Sequence, residues 1–175
     1  MPETPWPRVL IYKRTHIGDP DSSGTFGCGD CMGRIRGYRY DAVIGIGVAN
    51  PWIGHEGIAG RITWVGVGPQ RVGVHEQSGA PVIRFTRWRL SDANGKLLRN
   101  FAPKLAEYFF AKHRRYFFSD GLSDEIQADI KKILGLAKPA RSASRSTGAG
   151  MGRQNPQCYK GCPPRARAKR KRGTC

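Results

Sequence analysis

The chain has 175 residues with 30 Lys and Arg against 13 Asp and Glu, a formal net charge of +17. That length suffices for one domain with a real core plus an appendage, and the charge points to a polyanion partner, with a merely solubilising tail as the alternative. Five cysteines are an odd number, which argues for thiols or metal ligands and against a closed disulfide scaffold.

Pro2, Pro5 and Pro7 break any early helix, and the apolar run Val9–Tyr12 is too short for a signal sequence or a span. A cytoplasmic protein is the expectation. Arg8–Lys13 reads as a short buried strand, β-branched and aliphatic at its centre. Residues 14–40 are too rich in glycine and other turn residues to form one regular element. Asp41–Val48 is a second strand whose near-continuous apolar character predicts burial on both faces, with Gly45 and Gly47 admitting another backbone or a ligand.

A loop over 49–58 carries Trp52, His55 and Glu56, and Arg61–Gly68 is a third strand. Pro69 to Pro81 reads as a connection. Val82–Leu90 alternates, with Val82, Arg84, and Thr86 or Trp88 on one side and Ile83, Phe85 and Arg87 on the other. Asn94-Gly95 signals a hairpin turn returning into Lys96–Leu98. Pro103 suits the first turn of a helix to about Phe118. Ser123 is a good N-cap for a second helix, Asp124–Leu134, with Ile126, Ile130, Ile133 and Leu134 as its apolar stripe and Gly135 as its stop. Strands first and helices afterwards predict an α+β domain over residues 1–137: a small mixed sheet of about five strands followed by two C-terminal helices.

Residues 138–175 hold eleven Lys or Arg and no acid. Such a composition predicts a disordered basic tail drawn to nucleic acid, DNA above all, with the anionic membrane surface second. Arg165, Arg167, Lys169, Arg170, Lys171 and Arg172 are its densest run, suited to phosphate contacts without sequence specificity. Arg84, Arg87 and Arg89, interleaved with Phe85 and Trp88, make a second basic stretch, and Trp52 is the candidate for stacking on a base.

The chemistry-bearing cluster is His16, Asp19, Asp21 and Asp30. A neutral imidazole beside carboxylates serves as general base and orienting acid, or holds a divalent metal through nitrogen and oxygen. Gly18-Asp19-Pro20-Asp21 is also a good turn in its own right. Cys28 and Cys31 form a CxxC, and Cys158 and Cys162 a CxxxC; four thiolates suit one zinc, although the separation of the pairs is far from ribbon spacing. No P-loop, HExxH, GxSxG or GxGxxG is present.

The segments YKRTHIGDPD, GTFGCGDCMGRIRG, YDAVIGIG, GIAGRITWVGVGP and VIRFTRW together resemble a nucleotide-modification-associated domain family of phage and bacterial DNA-modification and defence loci. The resemblance covers roughly residues 8–135 and implies an intracellular protein that acts on, or recognises, bases or nucleotides. VLIYKRTHIGDPDSSGTFG also looks like the strand, acid-bearing loop and Gly…Phe…Gly order of the uracil-DNA glycosylase superfamily, with Asp19 in the place of the water-activating acid. It departs from that pattern by the extra KRTH before the loop and by lacking a His-Pro-Ser second motif. The expected function is therefore a DNA-directed protein acting on nucleobases, as a base-modifying or glycosylase-like enzyme. A non-catalytic reader of modified nucleic acid and a metal-dependent nuclease are the rivals.

Overall fold

The computed structural model describes residues 7–15, 25–26, 39–49, 56–74, 76, 79, 81–112 and 114–139. Its strands are β1 (Val9–Arg14), β2 (Thr25–Phe26), β3 (Ala42–Gly47), β4 (Ile62–Val74), β5 (Pro81–Leu90), β6 (Tyr116–Phe118) and β7 (Lys138–Pro139). Its helices are the single-turn α1 (Leu98–Phe101), α2 (Pro103–Ala111) and α3 (Asp124–Leu134). All belong to one mixed sheet and the helices packed on it, in strand order β2-β5-β4-β3-β1-β6, with β7 also pairing β5. The domain is α+β.

Alternation builds two cores on the two faces of this sheet. Val9 and Ile11 of β1 and Ala42, Ile44 and Ile46 of β3 face one way, against Leu105, Ala106 and Phe109 of α2 and Ile130 and Ile133 of α3. Leu10, Tyr12 and Val43 face the other way and meet Trp64, Ile83 and Phe85. The second face has no helix on it among the described residues. Aromatic side chains of the β4–β5 hairpin fill it instead, Phe85 standing edge-on to Trp64 with centroids 5.6 Å apart. Covering both faces explains why β3 is buried at every residue and reads as an unbroken apolar run.

β1 and β3 are parallel, Val9 opposite Ala42 through Arg14 opposite Gly47. Every other pair is antiparallel. The glycines of β3 serve close packing by the protein itself. A Cβ on Gly47 would lie 1.9 Å from the carbonyl oxygen of Ile58, and one on Gly45 would lie 2.9 Å from the Tyr12 hydroxyl.

Several elements differ from the sequence expectation. β4 does not stop at Gly68 but runs through Pro69 to Val74. Among the described residues pairing with β3 ends at Val67 and no strand pairs with that edge of β4 at Pro69, where a strand proline is tolerated. Asn94-Gly95 does not turn a hairpin. Gly95 has φ −64°, Asp92–Asn94 forms a 3-10 turn, and the chain makes one bridge, Arg61 to Leu97, before entering α1. The helix from Pro103 ends at Ala111, and Tyr116–Phe118 pair instead with Tyr12–Leu10 as an edge strand. Those aromatics bury better beside β1 than on a continued helix, where Phe117 would lose its contact with Tyr108.

α3 matches the expected Asp124–Leu134, between Ser123 and Gly135, but the Ser123 side chain makes no capping hydrogen bond and Gly135 keeps a right-handed φ of −61°. It also caps its neighbour. Ala102, at the N-cap of α2, has no side-chain acceptor, and Asp129 Oδ2 takes the amides of Lys104 and Leu105 at 2.8 and 3.0 Å. A carboxylate there also meets the positive end of the α2 dipole. Asp129→Ala should therefore cost about 1–2 kcal/mol in a denaturant titration, with Asp129→Asn recovering part of it. Equal stability of all three proteins would refute this capping role.

Candidate nucleic-acid interface and sheet-end site

β5 presents its arginines in an arrangement that plain alternation does not give. Strict period two would set Arg87 with Ile83 and Phe85, and Arg84 on the other side. Ile83 and Phe85 are buried in the second core and Trp88 and Leu90 pack against it, whereas Thr86 and Arg87 are consecutive exposed residues. The alternation therefore slips by one at Thr86–Arg87. Opposite the slip lies Gly68, with φ +70°, where a Cβ would collide with Thr86 Oγ1 at 2.2 Å. The Thr86 hydroxyl donates to the carbonyl of Val67 at 3.1 Å and holds the irregularity. As a result Arg84, Arg87 and Arg89 all point away from the aromatic core, Arg87 and Arg89 beside their register partners Val67 and Val65 at the margin of the first core.

The charge on this hairpin is one-sided. Neither β4 nor β5 contains an Asp or Glu, and Arg71 of β4 adds a fourth guanidinium. Arg71, Arg84 and Arg87 are exposed and have no ion pair among the described residues. Arg89 is half-buried and its Nε donates to Ser91 Oγ at 3.2 Å. The acids gather elsewhere: Asp120 pairs with Arg8, Glu125 with Lys104, and Asp129 caps α2. β7 brings Pro139, the last described residue, into register with Arg87.

A second feature lies at the carboxyl end of the parallel pair. Arg14, 2% exposed, forms an ion pair with Asp92, which carries φ +44°, a backbone conformation uncommon outside glycine. Thr63 is the extra residue of a bulge, since Gly45 pairs with Trp64 and Ile46 with Ile62. Its buried hydroxyl donates to Gly45 O at 3.0 Å, and its carbonyl accepts from Ser91 N–H at 2.8 Å. Arg61 Nη1 donates to Gly95 O at 2.9 Å, closing the turn that holds Asp92. Val48 N–H donates to Arg14 O at 3.0 Å, which fastens the ends of β1 and β3 together. A buried ion pair, a bulge and a residue at positive φ make this end rigid, the kind of scaffold on which loop residues are positioned.

From this one end depart the segments that contain His16, Asp19 and Asp21, after Thr15, and Trp52, after Ala49. Those four residues, together with Asp30, Cys28, Cys31, Cys158, Cys162, Arg165, Arg167, Lys169, Arg170, Lys171 and Arg172, lie outside the described residues. Arg84, Arg87 and Arg89 are described, and the fold brings them together. Sequence reasoning missed Arg14 and Asp92. A signal existed for Arg14, which falls two residues after Tyr12 and four after Leu10, in phase with the buried face of β1. Among the described residues no group of three His, Cys, Asp or Glu converges on a metal position. No described helix is long and apolar enough to cross a membrane. No protein-family model, curated protein or solved structure matches this chain.

Proposed function

We propose that this protein is directed at DNA and acts on its bases. The observation that carries the reading is the set of β5 arginines that point away from the aromatic core, together with the basic composition of residues 140–175. Both are suited to phosphate, which dominates nucleic-acid affinity and positions a protein without specifying sequence. A purely solubilising tail does not account for three arginines on β5 that have no ion pair among the described residues.

Supporting the base-directed part is the sheet end. Ligands of sheets with parallel strands gather at the strand carboxyl ends, and here the segments bearing His16, Asp19, Asp21 and Trp52 both start there. An enzyme acting on a base must take it out of the stack, and it needs an aromatic to receive it and an acid or base to work on it. Trp52 is assigned to the first role and His16, Asp19 and Asp21 to the second.

The test is nucleoside mass spectrometry after the purified protein has been incubated with unmodified and hypermodified DNA. The expected result is a change in one nucleoside that Asp19→Asn or Asp21→Asn abolishes while DNA affinity stays within about threefold of wild type. DNA binding with every nucleoside unchanged would overturn the enzymatic part and leave a reader of modified bases.

A further inference from the structure

The outer side of α2 is left uncovered by the described residues. Leu105, Ala106 and Phe109 are buried in the first core. Pro103, Glu107 and Phe110 are exposed, and with Ala106 they recur at the three- and four-residue spacing of one helical stripe. Together with Arg99 of α1 they line an open groove of about 430 Å³.

Phe110 is 39% exposed, unusual for a ring of its size. It stands edge-on to the buried Phe109 with centroids 5.3 Å apart, which anchors it to the core. The Arg99 guanidinium lies 4.9 Å from the centroid of the Phe110 ring, held there by a cation–π contact. Neither Arg99 nor Glu107 has an ion pair among the described residues. The groove therefore carries an apolar centre, one unpaired cation and one unpaired anion.

That combination selects its occupant. Nucleic acid is repelled by Glu107 and gains nothing from Phe110. An acidic peptide meets the same carboxylate, and a basic one meets Arg99. A surface bearing both charges beside an apolar stripe complements a copy of itself turned about a two-fold axis, because residue i then meets residue j and j meets i. We infer that this face joins two copies of the chain as an isologous dimer. α2 of one copy crosses α2 of the other in the antiparallel sense. Pro103 and Phe110 stand equally far along the helix from the point between Ala106 and Glu107, so an axis there sets Phe110 of each copy on Pro103 of the other. Ala106 is small and lets the helices approach closely. Arg99 of each copy faces Glu107 of the other across the groove. α2 has nine residues and is about 13 Å long, so the contact falls short of the roughly 1,600 Å² of a standard interface. The dimer is accordingly a weak one, with a dissociation constant of about 10–100 µM.

The test is sedimentation velocity of the full-length protein without nucleic acid, over about 1–300 µM and at about 0.15 M salt, where charges further apart than about 8 Å are screened. A reductant excludes dimers joined through the cysteines. Four samples are compared: wild type, Arg99→Glu, Glu107→Arg, and an equimolar mixture of the two variants. Both positions are exposed, so each variant should keep the circular dichroism of the wild type and melt within about 2 °C of it. The expected result is a concentration-dependent dimer for the wild type. Each variant alone sets like charges across both symmetry-related contacts and should associate at least about tenfold more weakly. The mixture should recover the dimer, because every contact again joins opposite charges. Phe110→Ala, an independent probe of the apolar centre, should weaken association by about tenfold as well. A wild type that stays monomeric throughout, variants that associate as the wild type does, a mixture no better than its components, or assemblies that grow beyond two copies would each overturn the inference. Since no nucleic acid is present, none of these outcomes touches the DNA-directed reading.

Discussion

Gly47→Ala is expected to lower stability by about 3 kcal/mol or more, enough to drop the melting temperature by roughly 10 °C. The added methyl would stand 1.9 Å from the carbonyl oxygen of Ile58 and 2.6 Å from its carbon, both backbone atoms. Neither can swing aside as a side-chain tip can. The strand and the 3-10 turn Glu56–Ile58 must separate, and the bond from Gly60 N–H to Gly47 O at 2.8 Å separates with them. Gly45→Ala is the internal control. Its methyl meets only the far end of the Tyr12 ring, so it should cost about 1–2 kcal/mol. Thermal melts of the two variants would check the order. Equal losses would mean that the Ile58 carbonyl is not held against β3, and that the sheet end is looser than its hydrogen bonds indicate.

Removing residues 140–175 should flatten the dependence of log K on log salt for duplex DNA by about five units, if the tail makes about six phosphate contacts. Truncation after Pro139 spares β7 and its pairing with Arg87 and Trp88, so the folded domain is preserved. The triple substitution Arg84→Ala, Arg87→Ala and Arg89→Ala in the full chain should remove about two to three further units. If both sets of cations contact one duplex, combining the two changes should sum their slopes. Binding at a single salt concentration across a titration series would not separate these cases, whereas the slope counts contacts directly. An unchanged slope on truncation would place nucleic-acid binding outside the tail. An unchanged slope in the triple variant would remove the role assigned to β5.

Residue order was enough to specify the α+β class, the two central strands and the helix Asp124–Leu134. These follow from local rules: a continuous apolar run, and a stripe at helical spacing bounded by Ser123 and Gly135. The imbalance of charge between 1–137 and 138–175 is likewise a matter of composition and needs no fold. Burial of Trp64 and Phe85 was also legible, because each sits among apolar residues inside a strand.

Other features depend on what lies next to what. Tyr116–Phe118 have an acceptable helical continuation, and only the open edge of β1 turns them into a strand. Asp129 looks like an ordinary exposed helix residue until α2 is placed with two unmet amides against it. Arg14 and Asp92 are 78 positions apart and meet only because β5 returns along β4 to the end of the parallel pair. The arginines of β5 illustrate the point most directly. Alternation separates Arg84 from Arg87. A glycine at positive φ on the neighbouring strand and a threonine hydroxyl bonded across to Val67 shift the phase by one residue. All three arginines then point away from the aromatic core, Arg87 and Arg89 beside their register partners Val67 and Val65, an arrangement invisible in the order of residues.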